Sequence, residues 1–93
     1  MIESFADTDT EDLFRGEAPK RFATDVRKRM VQKLQLIDAA CRPEDLRIPP
    51  GNRLEALSGD RSGLYSIRVN DRWRICFRFK NGNAYDVEIV DYH

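Results

Sequence analysis

The sequence predicts an α+β domain with two N-terminal helices packed on a mainly antiparallel sheet. Three observations carry this: a helix-capping signature at Thr8 to Glu11, an apolar stripe from Phe22 to Cys41, and near-strict alternation of apolar and polar residues from Leu64 onwards. At 93 residues the chain makes a single domain, 1–93, with one modest core and no repeat or long linker. Any function sits on the surface of that one scaffold.

Ile2 to Phe5 reads as a short strand. Thr8-Asp9-Thr10-Glu11 matches the S/T-x-x-E capping box and opens a short helix through Leu13 and Phe14, which Gly16 closes. Pro19 suits a first helical position. Phe22, Val26, Met30, Leu34, Ile37 and Cys41 then recur at spacings of three or four and predict a long helix over about 20–41. Its other face carries Lys20, Arg21, Arg27, Lys28 and Lys33. Pro43 and the Pro49-Pro50-Gly51 segment argue against regular structure from 42 to 53, which reads as an ordered connecting loop, and a strand can start near Leu54.

From Leu64 the alternating residues are Tyr65, Ile67, Val69, then Trp73, Ile75, Phe77, Phe79, then Tyr85, Val87, Ile89, giving three antiparallel strands. Opposed residues in such a pair share a face, so the apolar set fixes the register. A three-residue loop Asn81-Gly82-Asn83 pairs Phe79 with Tyr85, Phe77 with Val87 and Ile75 with Ile89; a two-residue turn would scramble the faces. The loop around Asp71 pairs Val69 with Trp73, Ile67 with Ile75 and Tyr65 with Phe77.

On the opposite face this register sets Arg68 across from Arg74, brings Arg72 close to Tyr92, and places Arg78 opposite Asp86 as an ordinary ion pair. Two arginines face to face repel unless both splay into water or an anion comes between them, and a guanidinium fork suits phosphate. The anion site is therefore expected towards Arg74. The last strand also delivers Asp91, Tyr92 and His93, which holds the chain's one histidine, to that end of the sheet. An imidazole, a phenol and an arginine together can activate a ribose 2′-hydroxyl and stabilise phosphate charge. A C-terminal histidine can equally be an idle, frayed residue.

Net charge is zero, which argues against attraction to nucleic acid by bulk charge, but the distribution is uneven. Residues 1–17 hold six acids and one base, whereas 18–80 hold fifteen Lys/Arg against seven Asp/Glu. The acidic start and short apolar runs predict neither a secretory signal nor a membrane span, hence a cytoplasmic protein. Cys41 and Cys76 lack ligand spacing and fall in apolar patterns, as buried reduced thiols do. No metal spacing, Ser/His/Asp order or phosphate-cradling glycine loop is present, and no cofactor is called for. Of the aromatic residues that could stack on single-stranded RNA, Tyr65 and Trp73 are assigned to the core, leaving Tyr92.

The stretches GNRLEALSGDRSG (Gly51 to Gly63), YSIRVN (Tyr65 to Asn70) and WRICF (Trp73 to Phe77), with the terminal Asp91-Tyr92-His93, resemble the HigB branch of the RelE/ParE toxin superfamily. The opening Met1 to Phe5 and the long basic helix are similar too, so the resemblance spans nearly the whole chain. It implies a compact RelE/ParE-like fold, two N-terminal helices on a mainly antiparallel twisted sheet. It also implies a type II toxin that cuts mRNA on the ribosome without a metal, leaves a 2′,3′-cyclic phosphate and arrests growth when free of antitoxin. Its partner would be a HigA-like helix-turn-helix antitoxin that itself carries the contacts to promoter DNA. In the family a sheet-borne arginine holds the scissile phosphate, which falls on Arg74 with Arg68 in support. A terminal group falls on Asp91, Tyr92 and His93, in positioning, orienting or proton-transfer, and acid-base roles.

The sequence departs from the best-known RNA-cutting members where they carry a histidine and a lysine: here stand Glu55 and Ser58. Either Glu55 serves as the base, or Arg53 and Arg61 replace the lost charge, or the enzyme is slower. Arg47, Arg53 and Arg61 suit contacts to the RNA or ribosome backbone. The competing readings are a ParE-like toxin that inhibits gyrase by binding, against which the terminal Asp-Tyr-His speaks, and a weakly active or inert homologue.

Overall fold

The computed structural model describes residues 1–57 and 63–91; Ser58 and Arg61, and likewise Tyr92 and His93, lie outside the described residues. Two helices, α1 (Thr8–Phe14) and α2 (Thr24–Ala39), precede four strands, β1 (Glu55–Ala56), β2 (Leu64–Arg68), β3 (Trp73–Lys80) and β4 (Asn83–Asp91). The strands form one antiparallel sheet in sequential order, and the helices cover one of its faces. Among the described residues, no helix is long and apolar enough to cross a membrane.

α1 is capped one residue earlier than the capping-box pattern suggests. Asp7 is the N-cap, its carboxylate accepting from the Thr10 amide at 2.7 Å and from the Thr10 hydroxyl at 3.0 Å. The fully buried Thr10 hydroxyl in turn accepts from the Ile89 amide at 3.1 Å, tying α1 to β4.

α2 is shorter than the predicted 20–41. Phe22 belongs to the turn before it, and Cys41 lies beyond it and is exposed, not buried. The apolar period still holds for Val26, Met30, Leu34 and Ile37, all buried against the sheet. Phe22 keeps its place in the core without being helical, because its ring packs edge-on against Trp73, with centroids 5.4 Å apart.

Residues 42–53 are more regular than their prolines suggested. Pro43–Arg47 and Pro50–Asn52 form two 3-10 turns, each with proline in its first positions, where a missing N–H costs nothing. Asp45 caps the first, accepting from the amides of Cys41 at 2.9 Å and Arg42 at 3.2 Å. The Cys41 amide bond above all, and then the Arg42 amide and guanidinium, hold its carboxyl below the ordinary range against the opposing effect of desolvation. A depressed carboxylate contributes stability above its unfolded pKa, and this is lost as pH falls through the lower folded value. Asp45→Ala should therefore be less stable than wild type at neutral pH and converge with it in acid, as urea titrations at the two pH values will read.

The first hairpin has the predicted register, with Ile67 opposite Ile75, Tyr65 opposite Phe77 and Arg68 opposite Arg74; the Val69 amide bonds the Trp73 carbonyl. The second does not. Ile75 opposes Ile89 as expected, but near the turn Phe79 meets Ala84 and Arg78 meets Tyr85. The connection is a two-residue turn, Asn81 and Gly82, both at positive φ. That turn would put Glu88 on the core face, as the alternation implied, and a bulge prevents it. Asp86 and Val87 together oppose Phe77, with Asp86 at φ 53°, and the extra residue returns Val87 and Ile89 to the core.

The predicted N-terminal strand is reduced to two isolated parallel bridges that flank this bulge, Ile2 to Ala84 and Phe5 to Val87. Ser4 accepts the Asp86 amide through its hydroxyl at 2.9 Å and the Val87 amide through its carbonyl at 3.1 Å.

Candidate active site

The sheet face away from the helices carries Ser66, Arg68, Arg74, Cys76, Arg78 and Glu88, every second residue of the strands. A cavity of about 390 Å³ lies over it, its polar lining formed by Glu55, Ser66, Arg74, Cys76, Arg78, Asp86 and Glu88 and its apolar lining by residues that include Leu57, Leu64 and Val90.

Arg74 is only 5% exposed, unusual for an arginine in a domain this small. Its Nε donates to Ser66 Oγ at 3.0 Å, and Nη2 donates to the carbonyls of Arg53 at 2.9 Å and Ser66 at 3.2 Å. Glu55 Oε1 stands 3.6 Å from Nη2, with half of the Glu55 side chain in solvent. Ser66 and the Arg53 carbonyl fix the guanidinium at the cavity wall, where low dielectric strengthens its effect on a phosphate.

The structure thus brings together Arg74, Glu55 and the Arg53 main chain among the candidate site residues. Arg68 faces Arg74 in register, and each has a partner within the chain: Arg68 forms an ion pair with Asp71, three residues on, while Ser66, the Arg53 carbonyl and Glu55 stand against Arg74. Arg68 is not among the residues lining the cavity. Asp91 stands at the Arg74 end of the sheet but on its other face. It opposes Trp73, shares the face of Ile89, and bonds Arg72 through Oδ2 at 3.1 Å. Arg47 lines a separate recess with Leu54, Ala56 and Tyr65. The expected Arg78–Asp86 pair forms at 3.7 Å even though the bulge changes the register beneath it. Tyr92, His93, Arg61 and Ser58 lie outside the described residues.

Two polar residues were not singled out from the sequence. Ser66 follows from the alternation, since it shares the face of Arg74 one step along β2. Asn52 has no such signal. It is fully buried, donating through Nδ2 to the Leu46 carbonyl at 3.2 Å and accepting from Lys33 Nζ on α2. Burial, helped by the Arg29 charge, keeps the Lys33 ammonium below the usual lysine range. Trp73 is a core residue as expected, buried beneath Arg21 and Arg72, whereas Tyr65 is only half-buried at the core's edge, where it stacks on Phe77 with centroids 6.0 Å apart.

Two helices cover one face of a four-stranded antiparallel sheet, a fold class that includes small toxins of known structure, and an arginine-lined cavity lies on the other face. The fold is shared with YoeB in the heterotetrameric YoeB–YefM toxin-antitoxin complex from Staphylococcus aureus, at TM-score 0.62 and 17% identity over 100% of this chain and 98% of that one. Within the class, residues 3–93 match the model of the RelE-like toxin of type II toxin-antitoxin system HigB. The chain is 38% identical over 85 residues to Toxin HigB-1 of Vibrio cholerae serotype O1 (90% of each chain), and 40% identical over 94 residues to Endoribonuclease HigB of Proteus vulgaris (100% of each). The chain belongs to the HigB family of RelE-like toxins of type II toxin-antitoxin systems.

Proposed function

We propose that this toxin is an endoribonuclease that cuts messenger RNA on the translating ribosome in the cytoplasm. The observation that carries this reading is the buried Arg74, locked by Ser66 and the Arg53 carbonyl beside Glu55 on a cavity wall. The name of the Proteus vulgaris relative supports the same activity.

In the reaction the 2′-hydroxyl gives its proton to a base, the resulting oxygen attacks phosphorus, and the bond to the 5′-oxygen breaks as that oxygen takes a proton. The products are a 2′,3′-cyclic phosphate and a 5′-hydroxyl. Arg74 stabilises the charge that builds on the phosphate oxygens. Glu55, 3.6 Å from Arg74, is the base. His93 supplies the acid, Tyr92 orients the ribose or relays a proton, and Asp91, held by Arg72, fixes the start of this terminal segment. Arg68, Arg53, Arg61 and Arg47 contact RNA or ribosome backbone. A HigA-like antitoxin silences the toxin and carries the promoter-DNA contacts. The YoeB–YefM assembly, a toxin of this fold with its antitoxin, supports such a partner.

The test is to map mRNA 5′ ends in a reconstituted translation reaction containing EDTA-treated toxin. Wild type should create new ends, and deletion of Tyr92 and His93 should lower their yield about 100-fold or more, as loss of acid-base groups does. The deletion should leave the fold nearly intact, because two terminal residues contribute few core contacts. No new ends from a wild type that still arrests cells lacking the antitoxin would overturn the reading and favour a binding target such as gyrase.

A further inference from the structure

We infer that Asn52 and Lys33 are positioning residues for Arg74, forming a buried brace that runs from α2 through the Pro50–Asn52 turn to the Arg53 carbonyl that holds the guanidinium. The inference rests on the ribonuclease reading for its kinetic consequence, but not for its structural one.

A fully buried asparagine normally needs partners for both ends of its amide. Asn52 finds them on two different elements, donating to the Leu46 carbonyl at 3.2 Å and accepting from Lys33 Nζ. Its own amide donates to the Pro49 carbonyl at 3.0 Å. The next residue, Arg53, takes a left-handed conformation at φ 46°, with its amide bonded to the Pro50 carbonyl at 3.1 Å. A residue with a β-carbon holds that conformation only where its surroundings fix it. The consequence lies one atom group further on: the Arg53 carbonyl accepts Arg74 Nη2 at 2.9 Å, and two residues later the chain presents Glu55 to the same nitrogen. One anchored side chain thus sets both the acceptor that orients the guanidinium and the carboxylate beside it.

The fold alone does not require this arrangement. An apolar residue of similar volume at 52 would fill the same space at the cost of one hydrogen bond, that to the Leu46 carbonyl, and Lys33 lies on a helix face that water partly reaches. The bonds are explained by what they align.

The experiment compares wild type with Lys33→Met, Lys33→Arg and Asn52→Leu, well below each midpoint of thermal unfolding. Lys33→Met removes the ammonium while leaving Asn52 in place, so it guards against Asn52→Leu failing to fold. The first readout needs no activity: the Nε–H and Nη–H resonances of Arg74 in ¹⁵N spectra, which its three hydrogen bonds should leave resolved and slowly exchanging in wild type. Lys33→Met and Asn52→Leu should broaden them and speed their exchange, and Lys33→Arg, which can still donate to the Asn52 oxygen, should restore them. The second is cleavage per folded molecule. Lys33→Met should lower kcat about tenfold and Asn52→Leu more, with KM little changed, as small misplacements of a charge-stabilising group do. Unchanged Arg74 resonances in a folded Lys33→Met protein would overturn the inference, as would full loss in Lys33→Arg. Absence of cleavage by wild type would strike at the ribonuclease reading alone, since the spectra still decide whether the brace orients Arg74.

Discussion

Replacing Arg74 with methionine is expected to lower mRNA cleavage about a thousandfold, and replacing it with lysine about a hundredfold, because each removes donors aimed at developing charge. Lysine keeps the positive charge but has no planar fork. It cannot satisfy Ser66 Oγ and the Arg53 and Ser66 carbonyls together while still facing a phosphate. Both variants also lose stability. Methionine leaves three buried or half-buried acceptors without their donor, a cost of about 1–3 kcal/mol for each that water does not reach.

That cost does not explain the kinetic loss. A domain with roughly 5–15 kcal/mol of stability stays almost wholly folded after losing about 3 kcal/mol, and cleavage counted per folded molecule removes the effect of any larger loss. Initial cleavage rates on programmed ribosomes, with urea titrations of the same samples, separate the two effects. A methionine variant that stays folded and cuts within tenfold of wild type would take Arg74 out of the chemistry.

How much of this site could be read beforehand depends on the kind of information each residue carries. Arg74 was legible because alternation assigns faces, and Trp73, Ile75 and Phe77 fix the face of everything between them. The Arg68–Arg74 register followed from the same rule. What each guanidinium then does was not legible. Asp71 and Ser66 are local partners, and choosing between them and an anion is a matter of side-chain geometry that pattern does not encode.

The final hairpin failed for a related reason. Unbroken alternation calls for a three-residue loop, whereas Asn81-Gly82 makes the tighter turn its residues favour and an added residue at Asp86–Val87 restores the faces. Asp91 keeps the place that pairing Ile75 with Ile89 gives it, opposite Trp73, which puts it on the face of Ile89 and across the sheet from Arg74. Asn52 was invisible because a lone asparagine in a proline-rich connection reads as a turn residue, and only the fold brings Lys33, nineteen positions earlier, against it.

Phe22 tests the packing side of the same structure, and Phe22→Ala is expected to destabilise the domain by about 3–5 kcal/mol. The ring is fully buried and meets Trp73 edge-on, with planes at 82°, while the Arg21 guanidinium lies 5.1 Å from its centroid. Its carbonyl also accepts Arg27 Nε at 2.8 Å, so the residue joins the turn before α2 to the helix and to the start of β3. Neighbours held on three sides cannot easily close the cavity left by alanine, which puts the cost at the upper part of the range for a phenylalanine.

For a domain of this size the loss corresponds to a fall of roughly 15–30 °C in Tm. Phe14→Ala, on a half-buried ring paired with Phe5, should cost roughly half as much or less. Thermal and urea unfolding of the two variants make the comparison. A Phe22→Ala cost below about 1 kcal/mol would mean that α2 and Trp73 settle into the gap. The residue would then be a filler of the turn and not the wedge that keeps Trp73, and Arg74 beside it, in place on the sheet.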